Sequence, residues 1–185
     1  MRIISGRFRG TKLFTLDGDE VTRPTLDRIK EPLFNILQFK FDDAICLDLF
    51  AGSGALGLEA ISRGAKKTYF SEVNRKAQEI VEKNIEKTKT ESQTILIKKD
   101  FEKALEEIKD KIDICFIDPP YKTDLVYRSL KKIIELKLLN DDATVVVETD
   151  EPQRVLKEIE NLGIEVIDTR KYGRVTLMFI KESKA

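Results

Sequence analysis

The sequence predicts one α/β domain built on an open, mostly parallel β-sheet with one reversed strand. From Ala44 onward, short apolar runs alternate with segments of helical periodicity, which is the pattern of repeated βα units. The chain has 185 residues, enough for one domain of ordinary size with a real core. Only Tyr172, Gly173 and Arg174 separate the last two strand-like runs, and this link is too short for a crossover helix. These two strands should therefore form an antiparallel hairpin.

The N-terminal part of the chain predicts a separate element before this domain. Residues 1–16 are expected to form a β-hairpin that turns between Gly6 and Gly10, and we divide the chain into a basic hairpin extension, 1–22, and an α/β domain, 23–185. Thr25 is the predicted N-cap of a first helix. Because a proline within a helix loses one hydrogen bond and clashes one turn back, Pro32 predicts a kink or a break in that helix.

The alternation after Ala44 places each further element. Seven strands are predicted at 44–50, 67–71, 94–98, 112–117, 144–148, 164–170 and 175–180. Helices are predicted at 56–63, 74–87, 101–109, 125–137 and 152–161. In sheets of this kind a ligand binds beyond the carboxyl ends of the strands, so residues that follow the strands are the candidates for function.

Composition excludes several kinds of site. The sequence has 33 Lys and Arg against 33 Asp and Glu, a formal net charge of zero, and no histidine. The lack of histidine excludes a Ser-His-Asp triad and a histidine-ligated metal, and we expect no metal. Cys46 and Cys115 fall within predicted buried strands, where they are expected to be core residues of a protein from a reducing compartment.

Hydropathy predicts a cytosolic protein. The first residues lack the apolar segment of a signal peptide. No apolar stretch approaches the roughly 20 residues that span a bilayer. We expect a monomer that does not bind membranes.

A glycine-rich loop follows the first strand of the domain. Gly52, Gly54 and Gly57 have the spacing of a dinucleotide-binding fingerprint and lie between a predicted strand and a predicted helix. Glycines allow the backbone to turn tightly and to approach a ligand closely. Asp48, near the end of the strand, is expected to shape this loop or to approach a ligand's ammonium group.

Acidic residues follow the next two strands. Glu72 lies about 20 positions past the glycines, where an acid usually contacts ribose hydroxyls. Asp100 beside Phe101 suits an adenine ring with its exocyclic amine. For both acids the alternative is a helix cap or a first-turn acid, since a predicted helix follows each.

The run Asp118-Pro119-Pro120-Tyr121 follows the strand 112–117. The Asp118 carboxylate and the Pro119 carbonyl can each accept one N–H of a planar amine, and the prolines fix the backbone that holds these acceptors. The Tyr121 ring can stack on a base, a contact worth about 1–3 kcal/mol. The alternative is a proline-rich turn in which Asp118 is only a turn residue.

The predicted N-terminal hairpin is locally basic. Residues 1–16 carry Arg2, Arg7, Arg9 and Lys12 and no acid. This asymmetry is typical of a surface that contacts phosphates. The alternative is an exposed edge on which cations prevent pairing with other strands.

Together these motifs resemble known enzymes. The resemblance to S-adenosylmethionine-dependent amino-methyltransferases rests on the glycine loop with its acids and on Asp118-Pro119-Pro120-Tyr121. The N-terminal run Arg2–Gly10 and the run Arg23-Pro24-Thr25-x-Asp27-Arg28 resemble the RsmD family, bacterial methyltransferases of a guanine N2 in 16S ribosomal RNA. The similarity covers Arg2 to about Ile180. It implies a Rossmann-like class I methyltransferase fold, S-adenosylmethionine as cofactor, and the small ribosomal subunit as partner.

The resemblance also implies roles for the residues that match. The expected catalytic residues are Asp118, Pro119, Pro120 and Tyr121. The expected cofactor-binding residues are Asp48, Phe50, Ala51, Gly52, Ser53, Gly54, Glu72, Val73, Asp100 and Phe101. The expected RNA-binding residues are Arg2, Arg7, Arg9, Lys12, Arg23, Thr25 and Arg28.

Other activities remain open from the sequence. The amine acceptor could be adenine N6 in DNA or RNA, or a protein glutamine, although glutamine enzymes usually have Asn in place of Asp118. A nicotinamide oxidoreductase would use the glycine loop but has no use for the Asp-Pro-Pro-Tyr run, and a non-catalytic RNA-binding protein would not need both motifs. Between Gly57 and Asp118 there is room only for the core βα units, so we expect specificity from a preshaped RNA gripped by phosphate contacts.

Overall fold

A computed structural model describes residues 1–16, 24–120 and 122–184, with the backbone alone for residues 24–27. Its centre is one seven-stranded sheet with the strand order β3-β2-β1-β4-β5-β7-β6. The strands are β1 (Ile45–Asp48), β2 (Lys67–Ser71), β3 (Thr94–Ile97), β4 (Ile112–Ile117), β5 (Leu139–Thr149), β6 (Ile164–Tyr172) and β7 (Val175–Glu182).

Six α-helices are present among the described residues, together with a short 3-10 turn at Glu91–Gln93. The helices are α1 (Pro24–Ile36), α2 (Ala55–Ser62), α3 (Arg75–Thr88), α4 (Phe101–Glu107), α5 (Leu125–Glu135) and α6 (Pro152–Ile159). The predicted N-cap of α1 was wrong, and of the kink or break predicted at Pro32 the break is absent. The helix begins at Pro24, whose fixed φ suits a first helical position, so Thr25 is its second residue and not its cap. The helix also continues through Pro32 without a break.

The pairing of the strands confirms the predicted sheet. The neighbours from β3 to β5 are all parallel, whereas β7 is antiparallel to both β5 and β6. One strand of the seven is therefore reversed, as in the class I methyltransferase fold. The register pairs Asp48 of β1 with Phe70 of β2 and with Phe116 of β4, which brings the carboxyl ends of these three strands to one edge.

The sheet is buried on both faces, as expected for parallel strands. Successive residues of one strand point to opposite faces, so Cys46 lies in one hydrophobic cluster and Leu47 in the other. Phe34 and Phe41 stack in the first cluster with ring centroids 5.1 Å apart. Cys46 and Cys115 are both buried free thiols, as predicted.

The N-terminal residues form a short hairpin. One antiparallel bridge joins Arg2 to Lys12, and the Ile3 amide donates to the Thr11 carbonyl at 2.9 Å. Ile3 and Leu13 are buried in the first hydrophobic cluster, so the hairpin packs on the core. Its treatment as a distinct extension, 1–22, stays a prediction. In the described part of the chain, no helix is long and apolar enough to cross a bilayer, and no group of side chains is arranged to hold a metal ion.

Candidate active site

Acidic residues line the carboxyl edge of the sheet in the order of the strands. Asp100 follows β3, Glu72 follows β2, Asp48 ends β1 and Asp118 follows β4. The backbone continues to pair beyond the strands, because the Leu49 amide donates to the Phe116 carbonyl at 3.1 Å. The structure therefore brings the predicted cofactor residues and the Asp-Pro-Pro run to neighbouring strand ends.

Asp48 shapes the glycine loop from within the core. Its carboxyl group is buried, and Oδ2 accepts the Gly57 amide of α2 at 3.0 Å. Burial raises the pKa of Asp48 to about 7, because the charged form loses its hydration and the nearby Glu72 charge also disfavours it. The amide of Gly57 acts in the opposite direction but is outweighed. Of the two roles predicted for Asp48, the geometry favours the shaping of the loop.

Glu72 ties the loop to the neighbouring strand. Its Oε2 accepts the Gly52 amide at 2.8 Å, and its Oε1 accepts the Asn74 amide at 2.9 Å. The N-cap of α3 is Asn74, whose side chain accepts the Ala77 amide. Glu72 is thus not the helix cap, and one of its oxygens lies directly at the loop.

Two glycines of this segment are required for different reasons. Gly54 has a φ of 81°, a left-handed conformation that side chains disfavour, and it immediately precedes α2. Gly57 lies against the Phe70 ring and Thr68, so closely that an added Cβ would overlap the ring. Gly57 therefore allows α2 to pack on β2, whereas Gly54 forms the turn.

Asp100 and Phe101 have structural roles as well as suitable positions. Asp100 is the N-cap of α4 and accepts the Lys103 amide at 3.2 Å, so the capping alternative is present in the structure. The Phe101 ring is buried, with the Phe50 ring 5.5 Å away and the Arg128 guanidinium 5.2 Å away. Since its ring contacts these groups, Phe101 offers a ligand mainly its backbone.

Other residues predicted to bind the cofactor lie in or beside the loop. The Ala51 amide donates to the Ser71 carbonyl at 3.0 Å, which joins the loop to β2. Val73 is 68% exposed and offers an apolar surface beside Glu72. At Gly52 an added Cβ would meet no atom within 4 Å, so the loop has open space on that side.

The Asp-Pro-Pro run follows β4 directly. Pro119 is buried, Pro120 is exposed, and the Thr123 hydroxyl donates to the Pro120 carbonyl at 3.0 Å. A cleft beside the two prolines extends to Glu148 at the end of β5 and to Arg154 on α6. Tyr121, the last residue of the predicted clamp, lies outside the described residues.

The predicted RNA-binding residues divide into three groups. Arg2, Arg7, Arg9 and Lys12 are all exposed on the hairpin, and Arg28 is exposed on α1. Arg7 donates to Gln93 Oε1 at 2.7 Å. Arg23 and the side chain of Thr25 lie outside the described residues.

Sequence reasoning missed Glu59, which fixes the hairpin on α2. The Glu59 carboxylate is fully buried and accepts the Ile4 amide at 2.9 Å and the Ser5 amide at 3.1 Å. It also pairs with Lys30 of α1 at 3.1 Å and with Arg63 at 2.9 Å. An acid in the middle of a helix that is otherwise apolar up to Ser62 was the available signal for a buried ion pair.

Sequence reasoning also missed Ser62, which lies one turn further along α2. Its hydroxyl donates to the Ser5 carbonyl at 2.6 Å and accepts the Phe8 amide at 3.0 Å. Its carbonyl accepts the Arg7 amide at 2.8 Å. The turn of the hairpin is therefore held by the same helix that begins at the glycine loop.

Comparison with protein families gives one match over almost the whole chain. Residues 1–181 match the family described as conserved hypothetical protein 95. The chain is 36% identical to ribosomal RNA small subunit methyltransferase D of Haemophilus influenzae, over 84% of this chain and 82% of that protein. It is 35% identical to YlbH of Bacillus subtilis, over 98% of this chain and 99% of that protein.

Solved structures agree with this match. The yhhF protein of Escherichia coli superposes with a TM-score of 0.84 and 30% identity, covering 100% of this chain and 99% of that one. A Haemophilus influenzae protein superposes with a TM-score of 0.77 at 30% identity, over 99% of this chain and 98% of its own. The likeness therefore extends to the whole fold, including the N-terminal hairpin.

Proposed function

We propose that this chain, which belongs to the RsmD family of ribosomal RNA methyltransferases, transfers a methyl group from S-adenosylmethionine to the exocyclic N2 of a guanine in 16S ribosomal RNA. The observation that carries the proposal is the pairing of β1 with β4, which brings the glycine loop and the Asp-Pro-Pro run to adjacent strand ends. A methyl donor on the loop would then lie beside an amine held at Asp118. We place this activity in the cytoplasm, where ribosomal particles are methylated.

The residues of the loop fit S-adenosylmethionine. The open space beside Gly52 would admit the methionine part, and Glu72, whose Oε2 accepts the Gly52 amide at the loop, would accept ribose hydroxyls. The exposed Val73 and the backbone of Phe101, at the start of α4, would contact the adenine. When bound, the cofactor supplies a methyl group on a positively charged sulfonium, and the acids of this edge suit that charge.

The Asp-Pro-Pro run would hold and activate the amine. The lone pair of a guanine N2 is delocalised into the ring, which makes the nitrogen a poor nucleophile. If Asp118 and the Pro119 carbonyl each accept one N–H, the nitrogen is drawn toward tetrahedral geometry and its lone pair turns to the methyl carbon. Orientation of this kind can supply about 7–11 kcal/mol of the barrier. The stacking of Tyr121 on the base remains the expectation from the sequence.

Asp118 would also receive the proton. The nitrogen–carbon bond would form as the methyl carbon leaves the cofactor's sulfur, and the sulfur would keep the electrons of the broken bond. The amine becomes acidic only as the new bond forms, so an ordinary carboxylate suffices to accept its proton and pass it to water. The carboxylate thereby stabilises the charge that develops on the nitrogen.

The hairpin would position the RNA. Its exposed cations, Arg2, Arg7, Arg9 and Lys12, lie on a unit that α2 connects to the glycine loop. Contacts to phosphates fix the register of an RNA without reading its sequence, which suits a target presented by a folded particle. The target base must leave any stack to reach Asp118, at a cost of a few kcal/mol.

The proposal is tested with labelled S-adenosylmethionine and four acceptors: unmethylated small ribosomal subunits, naked 16S RNA, duplex DNA and ribosomal protein. Product nucleosides are identified by mass spectrometry. We expect N2-methylguanosine, formed best on the small subunit. Label on DNA or protein would overturn the ribosomal RNA assignment, and N6-methyladenosine would overturn the guanine assignment.

Asp118 can be separated from cofactor binding. Asp118→Ala should lower the single-turnover rate by at least about 10²–10³, because it removes an acceptor that acts in the transition state. Binding of S-adenosylmethionine, measured by calorimetry, should change little. Asp124→Ala removes an exposed carboxylate six residues further along and serves as the control. Loss of cofactor binding together with activity would contradict this division of roles.

A further inference from the structure

One buried side chain, Asn84 of α3, joins the cofactor loop to the N-terminal hairpin. Its Nδ2 donates to the Ser53 carbonyl at 2.8 Å and to the Phe14 carbonyl at 3.0 Å. Its Oδ1 accepts the Phe14 amide at 2.7 Å. Asn84 has no exposed surface. Both hydrogens of the amide are used, one on each side, so neither partner can move without affecting the other.

The three contacts define one orientation of the Asn84 amide. If the oxygen and nitrogen exchanged places, an N–H would face the Phe14 N–H and the oxygen would face two carbonyls. The Asn84 side chain thus replaces a strand partner for Phe14, since it pairs with both backbone groups of that residue. The same helix contacts the Phe14 ring through Lys87, whose ammonium lies 4.7 Å from the ring centre.

The two partners of Asn84 belong to the segments proposed to bind the two substrates, the cofactor and the RNA. Ser53 belongs to the loop that follows β1, and Phe14 lies at the end of the hairpin that carries the exposed cations. We infer that Asn84 is a positioning residue that couples the cofactor site to the hairpin. Cofactor on the loop orders Phe14 and thereby strengthens RNA binding to the hairpin, and RNA on the hairpin strengthens cofactor binding by the same factor, since coupling free energies are reciprocal.

Only the part of the inference that concerns RNA rests on the proposed function. The effect of the cofactor on Phe14 is measured without RNA, by amide hydrogen exchange of the Phe14 N–H with and without S-adenosylmethionine. We expect exchange at Phe14 to slow by about fivefold or more, the lower end of typical coupling. Amides of the β6–β7 ladder, far from the loop, should slow much less. Equal slowing everywhere, or none at Phe14, would overturn the inference.

Two variants test whether the Asn84 side chain carries the coupling between the cofactor loop and Phe14. Asn84→Leu keeps the branched shape of the side chain but removes all three hydrogen bonds, and Asn84→Asp keeps an acceptor for the Phe14 amide but loses the donor to both the Ser53 and the Phe14 carbonyls. In both, slowing at Phe14 should disappear although the cofactor still binds. Thr88→Val is the matched control, because the Thr88 hydroxyl is buried on the same helix and bonds the backbone carbonyls of Asn84 and Ile85 and the Thr90 hydroxyl, but not the Asn84 side chain, the loop or the hairpin. Persistent slowing in Asn84→Asp, or its loss in Thr88→Val, would contradict the assignment.

The RNA half is measured as the ratio of cofactor dissociation constants without and with small ribosomal subunits. We expect a ratio of about five or more in the wild type and in Thr88→Val, and a ratio near one in Asn84→Asp. A side chain that only stabilised the fold would weaken binding without changing this ratio. Slowing at Phe14 without methyl transfer to any RNA would support the coupling while refuting the proposed function. Methyl transfer to RNA, together with a ratio of dissociation constants near one in the wild type, would support the proposed function and refute the coupling.

Discussion

The two hairpins of the molecule are held in place by different means. The C-terminal hairpin, β6 and β7, is a ladder whose pairs run from Ile164 with Glu182 to Tyr172 with Val175. The same β7 also pairs with β5, so a continuous ladder of backbone hydrogen bonds joins this hairpin to the sheet. The N-terminal hairpin has one bridge, between Arg2 and Lys12. Its position depends on side chains of two helices, Glu59 and Ser62 of α2 and Asn84 of α3.

This difference indicates what each hairpin is for. A ladder tolerates most changes of exposed side chains, which suits an element that completes a sheet. A hairpin fixed by a few buried polar side chains is sensitive to each of them, because a buried group that loses its partner is costly. Since α2 begins at the glycine loop, those contacts also set the hairpin's position relative to the proposed cofactor.

The largest expected effect is on stability, from Glu59→Ala. This substitution removes the carboxylate that pairs with buried Lys30 and accepts the Ile4 and Ser5 amides. Breaking a buried pair in this way costs about 3–5 kcal/mol. Urea unfolding measures the loss, and Glu165→Ala, at an exposed position of β6, is the control that should change stability by less than about 0.5 kcal/mol. Similar losses in the two variants would remove the distinction between the hairpins.

The next effect compares one glycine from each hairpin. Gly6 and Gly173 have φ values of 86° and 62°, so alanine is strained at both, by about 1–2 kcal/mol. At Gly6 an added Cβ would also overlap the Ser62 carbonyl, whereas at Gly173 it would meet no atom within 4 Å. Overpacking adds about 1–3 kcal/mol, so Gly6→Ala should lower the free energy of unfolding more than Gly173→Ala. Equal losses would mean that the turn does not contact α2 in solution.

A smaller effect, on the pH dependence of stability, comes from the glycine loop and involves neither hairpin. The pKa of Asp48 is raised to about 7 by burial, above its value in the unfolded chain, so the folded state holds this proton more tightly. The resulting stabilisation is complete at low pH and is lost as pH rises through 7. Asp48→Asn can still accept the Gly57 amide but has no proton to lose. Between pH 6 and 8 the wild type should lose about 1 kcal/mol of stability relative to Asp48→Asn.

That prediction depends on one group, and two outcomes would contradict it. If wild type and variant keep a constant difference across this pH range, Asp48 does not titrate there. If the wild type gains stability relative to Asp48→Asn as pH rises, the folded state favours the charged carboxylate, and burial is not the dominant influence on it.

The features visible in the sequence were those that depend on neighbours along the chain. Apolar periodicity located all seven strands and the helices after Ala44, and it placed Asp48 and Asp118 at the carboxyl ends of β1 and β4. What remained hidden depends on partners distant in sequence. The carboxylate of Glu72 accepts the Gly52 amide, 20 residues away, and Asn84 contacts Phe14, 70 residues away. No local pattern distinguishes such an Asn from one exposed on a helix.

In helix α1, a local rule predicted a feature that the structure does not have. Proline disfavours a helix interior, yet α1 continues through Pro32, because its apolar residues Ile29, Leu33 and Phe34 are buried in the first hydrophobic cluster. Burial of three such side chains contributes several kcal/mol, which offsets the roughly 3 kcal/mol that a helical proline costs. Tertiary packing therefore keeps α1 unbroken where the sequence alone predicted a kink or a break.

The most direct test of the account removes charges from each of the two hairpins in turn. Arg7→Gln with Arg9→Gln removes two exposed cations from the N-terminal hairpin, and Lys171→Gln with Arg174→Gln removes two from the C-terminal one. Methyl transfer to small ribosomal subunits is measured at several salt concentrations. The first variant should need more subunits for half-maximal rate, with a salt dependence shallower by about one for each phosphate that it no longer neutralises, and the second should behave as wild type. Equal effects of the two variants, or none from the first, would contradict the claim that the N-terminal hairpin presents the RNA.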